Sequence, residues 1–235
     1  MNTVKESGEL FASSDMYQAL GEFLHRTTPE LAAALCDGRF ADDIASILHE
    51  LGFADTEASL LTGGFSELLT SSDEERDKLF HAVRRDYTHL FSNPQFSVMT
   101  LYESRFLGGE ERDPAVQAHS GTVHEIGSLY KRAGFESAIQ PSEYADHMRV
   151  EFEFMQVLRK NQGISAESGD ADSYQKIEDT VQIFFNRHLK KWAVPFFEEV
   201  ILKSKEDVYK TVARIAIAFF EKEFDEGALS EQEQV

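Results

Sequence analysis

Apolar residues recur at intervals of three and four along nearly the whole chain, and no run alternates as a half-buried strand would. Met16, Leu20, Phe23 and Leu24 predict a first helix ending near Thr28-Pro29. Leu31 to Cys36 is a short second one, stopped by Asp37-Gly38. Phe40, Ile44, Ile47, Leu48 and Leu51 predict a third, with Gly52 as its cap. Residues 57–69 read as a weaker helix interrupted at Gly63-Gly64. The pattern Ser72-x-x-Glu75 predicts a capping box opening a helix with Leu79, Phe80, Val83, Tyr87, Leu90 and Phe91 on one side, ended by Asn93-Pro94.

The second half continues the pattern. Asp113-Pro114 predicts an N-cap with proline at the first helical position, and Val116, Val123, Ile126 and Tyr130 follow until Gly134. Ser142 is the expected start of a helix burying Met148, Phe152, Met155 and Leu158. Residues 163–172 read as a polar loop. Tyr174, Ile177, Val181, Phe184 and Phe185 mark a helix running toward Trp192, with Pro195 perturbing the region just after it. Ser204-x-x-Asp207 predicts the cap of a last helix through Val208, Val212, Ile215, Phe219 and Phe220. The expected fold is all-α, one globule of nine or ten helices. Its organisation would be two helical halves, about 14–93 and 112–224, joined by a hinge at 94–111 and trailed by a frayed tail at 225–235.

Composition narrows the function classes. A chain of 235 residues, 42% hydrophobic, can bury a sizeable core. Its 23 basic and 42 acidic residues give a formal charge of −19, which repels nucleic-acid phosphates and anionic lipid and favours a cationic partner such as a basic peptide. A single cysteine, Cys36, precludes an intramolecular disulfide and suits a reducing compartment. Residues 1–14 lack the apolar run of a secretory signal, and no stretch of about 18 apolar residues predicts a membrane span. A cytoplasmic protein is expected. No Gly-x-Ser-x-Gly, P-loop or dinucleotide fingerprint occurs. Glu22-x-x-His25 and Asp86-x-x-His89 loosely match the carboxylate-His pairs of di-iron bundles, but only one is a true Glu-x-x-His. Cys36, beside Asp-Gly at a helix terminus, suits a small buried residue better than a nucleophile. No catalytic residue and no metal are therefore expected. The alternatives kept open are a helical metalloprotein and a generic helical scaffold.

Two segments carry the chemistry. Tyr87, Leu90, Phe91 and Pro94 close one apolar helix. Glu143-Tyr144-Ala145-Asp146-His147, running on to Glu151, opens another. Between them lies Leu101-Tyr102-Glu103-Ser104. This set resembles the TorD/DmsD family of molybdoenzyme maturation chaperones, whose pattern reads Tyr-x-x-Leu-Phe-x-x-Pro, then a Tyr-Glu-Ser-like segment, then Glu-x-Pro-Asp-His before an apolar helix carrying Glu. Ala145 departs from the usual Pro. Residues 185–192 look like the family's His-Leu-x-x-Trp segment. The resemblance spans about Met16 to Phe224 and implies an all-α fold. It also implies a chaperone that binds the twin-arginine leader and the apo catalytic subunit of a molybdoenzyme, assisting cofactor insertion and restraining premature export.

On that resemblance the leader-binding residues are Tyr87, Leu90, Phe91, Pro94, Tyr102, Glu103, Asp146, His147 and Glu151. A spacing of four would bring Glu143, His147 and Glu151 to one helix face, an acidic recess suited to a guanidinium fork. On pattern alone at least two of Tyr87, Leu90 and Phe91 belong to the core. Their helix end beside a long connection can still border a groove. Contact with guanine nucleotide or molybdopterin is implied by family resemblance only, and the protein would be a monomer or a domain-swapped homodimer.

Overall fold

The structure is a computed structural model describing residues 3–92, 98–108, 121–138 and 144–232, with side chains described between 7 and 223. Pro94, Glu143, the Asp113-Pro114 cap, the Ser142 start and residues 94–97 and 109–111 of the expected hinge lie outside the described residues. Among those described there is no strand, and the fold is all-α. One antiparallel bridge, Tyr102 with His147, is the only extended pairing in that set.

The helices are α1 (Thr3–Phe23), α2 (Pro29–Cys36), α3 (Arg39–Glu50), α4 (Asp55–Thr62), α5 (Asp73–Tyr87), α6 (Glu103–Gly108), α7 (Gly121–Ala133), α8 (Met148–Ser168), α9 (Ala171–Phe184), α10 (Lys190–Lys203) and α11 (Asp207–Gln232). A 3₁₀ turn, Gly63–Leu68, extends α4, and π-helical turns follow α5 at Thr88–Ser92 and α9 at Phe185–Leu189. Several expected caps are present: Ser72 accepts from Glu75 N–H, and Gly52 and Gly134 take positive φ after their helices. Thr28, read only as the stop of the first helix, also caps α2, accepting from Leu31 N–H with Pro29 at the first helical position.

Three expectations need correction. The first helix begins at Thr3, well before Met16, so the polar first stretch is helical too. The expected loop at 163–172 is mostly helix. α8 runs to Ser168 and stops at Gly169, whose φ of 72° is the left-handed conformation that ends helices. Gly163 lies inside α8 because α1 crosses there, and a Cβ at this position would sit 2.9 Å from the Phe11 ring. Finally, α10 continues through Pro195. The proline removes the donor for the Lys191 carbonyl, which lies on the exposed side where water can replace it.

α1 and α8 pack along their lengths, α9 lies against α8, and α10 against α11. One apolar core runs through all of them. Its centre is aromatic: Tyr17 meets Phe152, Phe219 and Phe220 edge to face at 5.1–6.0 Å, and Phe197 stacks on Phe152 and Phe220. Such pairs contribute about 0.5–1.5 kcal/mol each beyond their burial. The chain from the first half thus packs lengthwise on the second. Among the described residues no helix is long and apolar enough to cross a membrane.

Candidate functional site

α8 starts at Met148, not Ser142. Residues 144–147 before it are not helical, so the helix expected to carry His147 and Glu151 begins only after His147, and Glu143 lies outside the described residues. His147 is the N-cap instead. Its Nδ1 accepts from Arg149 N–H at 3.1 Å, which fixes the neutral tautomer with the proton on Nε2. Burial, and next the positive charge of Arg149, push the His147 pKa down to about 4. The imidazole is therefore an uncharged cap, with its ring edge-on to Tyr102 at 5.0 Å.

Asp146 serves a different helix. Glu103 N–H donates to its carbonyl at 2.9 Å, and Met148 N–H donates to the Leu101 carbonyl at 2.8 Å. These bonds flank the Tyr102–His147 bridge and seat the Asp-His turn on the Leu101–Glu103 segment. The Asp146 carboxylate then accepts from Ser104 N–H and Ser104 Oγ, satisfying donors in the first turn of α6. The expectation that Asp146 and His147 sit at a helix start holds, but both are buried, Asp146 at 0% exposure.

Glu103 and Glu151 are buried as well, and both are held by the same stretch of helix. His188 Nδ1 lies 2.9 Å from Glu103 Oε2, and Trp192 Nε1 donates to Glu151 Oε2 at 3.2 Å. Residues 188 and 192, one turn apart across the π-turn and the start of α10, thus collect an acid from α6 and another from α8. Tyr130 on α7 closes the cluster by donating to the Ala145 carbonyl at 2.9 Å. The expected acidic recess is consequently an interior cluster, not an open rim.

The other motif reaches the same helix. Leu90 is fully buried core, while Tyr87 and Phe91 are half-buried at its margin. Phe91 stacks on Phe196 at 5.9 Å and 16°, and Tyr87 meets Phe91 at 5.6 Å. Phe106 bridges Trp192 and Phe196. So Phe196 and Trp192 join the Tyr87–Phe91 end of α5 to the Asp-His turn across some fifty residues of sequence. The outward surface of this region carries Tyr102, Arg105, Phe106, Leu107 and Tyr144 in addition to Tyr87 and Phe91.

His188 and Trp192 are the residues whose part the sequence did not disclose. Their segment was noticeable, but which acids they would hold depended on packing. Asp86 is the converse case, because its carboxylate accepts from Ser204 Oγ, Lys205 N–H and Glu206 N–H, anchoring the turn into α11. The expected Ser204 cap of that helix is thus replaced by an acid from α5. Glu22 and His25 are exposed, Cys36 is buried in the core, and among the described residues no group of three or more His, Cys, Asp or Glu could hold a metal ion.

Among known families, the model described as nitrate reductase delta subunit matches residues 54–198. That interval is more than half of the chain and takes in both motif segments, from Tyr87 to Glu151, together with His188 and Trp192. No curated protein matches the chain.

Proposed function

The chain belongs to the nitrate reductase delta subunit family, a family of redox-enzyme maturation chaperones, and from that membership we propose that it binds the twin-arginine leader of an apo molybdoenzyme. Binding of this kind is reversible recognition and requires no nucleophile. The chaperone would act in the cytoplasm, holding the catalytic subunit until its cofactor is in place.

The observation that carries this reading is the convergence on α10 of a half-buried aromatic margin and a buried group of carboxylates. Tyr87 and Phe91, with Phe106, offer apolar surface to the hydrophobic part of a leader. Tyr102, Tyr144 and the His147 edge form the polar flank, and aromatic faces accept guanidinium groups well. Leu90, Glu103, Asp146 and Glu151 support the site from beneath rather than touching the leader, since all four are buried. The net charge of −19 adds long-range attraction for a basic peptide.

The test is calorimetric titration with a synthetic peptide holding two adjacent arginines and an apolar stretch. The expected affinity is about micromolar, near −8 kcal/mol, weakened by added salt and by changing both arginines to Gln. Tyr102→Ala should weaken binding at unchanged melting temperature. Absence of binding by the wild-type protein would end this proposal. Equal binding by a folded Tyr102→Ala variant would move the site elsewhere.

A further inference from the structure

Glu151 has surroundings that a carboxylate does not tolerate. Its side chain is fully buried. One oxygen accepts from Trp192 Nε1, and the other, Oε1, has no hydrogen-bond partner. No Lys or Arg pairs with it among the described residues. The groups that face it come from four elements. Glu103 approaches from α6, already bound to His188 of the π-turn. Asp146 approaches from the turn before α8 and likewise has one unpartnered oxygen, Oδ1. Tyr130 faces it from α7, its hydroxyl proton committed to Ala145. Trp192 faces it from α10. Among the described residues the imidazole paired with these acids is His188, 2.9 Å from Glu103 and 4.0 Å from Glu125, while the buried His147 is held neutral.

Three buried carboxyl groups with at most one imidazolium among them cannot all ionise cheaply. Asp146 has two donors from Ser104, and Glu103 has the His188 ring. Glu151 has only a neutral indole N–H. It is the member of the group with least to hold a negative charge. We infer that Glu151 is a positioning residue held as an uncharged carboxylic acid, and that its proton keeps the Asp146–His147 turn seated on the Leu101–Glu103 segment. Consistently, burial first, then the charges of Glu103 and Asp146, push the Glu151 carboxyl well above its ordinary range, against a smaller opposing effect of the Trp192 hydrogen bond. The same burial and the same acids raise the Tyr130 hydroxyl.

The consequence is directional. Glu151 N–H donates to the His147 carbonyl, so the acid hangs one turn below the N-cap. Ionising it would place a third negative charge beneath Asp146 and push the turn outward. The folded-state value lies above the unfolded one. The stabilising effect of the proton is therefore complete below the ordinary glutamate range and is lost as pH rises toward the folded-state value.

Glu151→Gln copies the neutral acid in shape and is the central variant. The infrared spectrum of the wild-type protein at pH 7 should contain a protonated carboxylic acid band that Glu151→Gln lacks. Denaturation midpoints from pH 6 to 9 should fall for wild type relative to Glu151→Gln. The binding arm rests on the proposed leader site and uses an N-acetylated peptide with two adjacent arginines, an apolar stretch and no other ionisable side chain. Glu151→Gln should bind it within about twofold of wild type at pH 7. Overturning results are a wild-type spectrum without the acid band, or parallel midpoint curves. A loss of about tenfold or more in binding by a Glu151→Gln variant that melts like wild type would also overturn it, since Glu151 would then meet the arginines as a carboxylate. Should the variant not fold, the wild-type infrared titration decides alone. Should wild type bind no peptide, the leader proposal fails, while the spectrum and midpoints still judge the charge state.

Discussion

Replacing Asp86 probes a long-range tie with a calculable cost. The carboxylate is 2% exposed and receives Ser204 Oγ at 2.6 Å, Lys205 N–H at 3.0 Å and Glu206 N–H at 2.9 Å. It joins the end of α5 to the turn between α10 and α11, 118 to 120 positions away in sequence. A hydrogen bond to a charged group is worth about 1.5–3 kcal/mol. The three share one acceptor, so their effects do not add in full. Asp86→Ala should cost about 3–4 kcal/mol, and Asp86→Asn, which keeps one acceptor oxygen, about half as much. At about 2–4 °C per kcal/mol for a chain this long, the alanine variant should melt about 6–16 °C lower. Trp192 is the single tryptophan and is fully buried, so its fluorescence reports unfolding in urea, with circular dichroism as the second probe. An Asp86→Ala variant within about 1 kcal/mol of wild type at an unchanged denaturant slope would refute the reasoning. So would an asparagine variant as costly as alanine, because the acceptor would then not be what matters.

Buried chemistry sets three other expected outcomes. Arg159 pairs with Glu223 at 2.6 Å, with Ser13 Oγ donating to the same carboxylate, so Arg159→Met should cost about 3–5 kcal/mol in urea denaturation while Arg159→Met with Glu223→Met recovers most of it. Gly163→Ala should destabilise by about 1–3 kcal/mol although alanine is the better helix former, and adding Phe11→Leu should restore stability; a stabilised single variant would contradict the close crossing of α1 and α8. The pKa of His147 is depressed, so the unfolded chain binds its proton more readily, and stability should fall as pH drops from about 6.5 to about 4, by about 3 kcal/mol. His147→Asn keeps a capping acceptor and should flatten that fall, read as denaturation midpoints at pH 7 and pH 4.5.

What the amino-acid order determined by itself was local. Apolar spacing with few prolines specifies helices, because that period buries one stripe and leaves the other in water. Ser72, Gly52 and Gly134 act on backbone groups within a few residues, so their roles were readable in advance. The motif segments were likewise visible as residue types. Tertiary structure decided everything that depended on a partner far along the chain. Gly163 looks like a loop signal until α1 is laid across it, and only Gly169 has the left-handed backbone that stops α8. Ser204 looks like a cap until Asp86 arrives from α5 to bind the same turn. Glu143, His147 and Glu151 look like one acidic helix face under helical spacing, but the acids that meet in the structure are Glu103, Asp146 and Glu151. They become a buried group once the Tyr102–His147 bridge turns the chain inward and His188 and Trp192 take two of the acids. The physical reason is range. Helix period and capping act over one or two turns, whereas burial and the charge state it imposes are properties of the assembled interior.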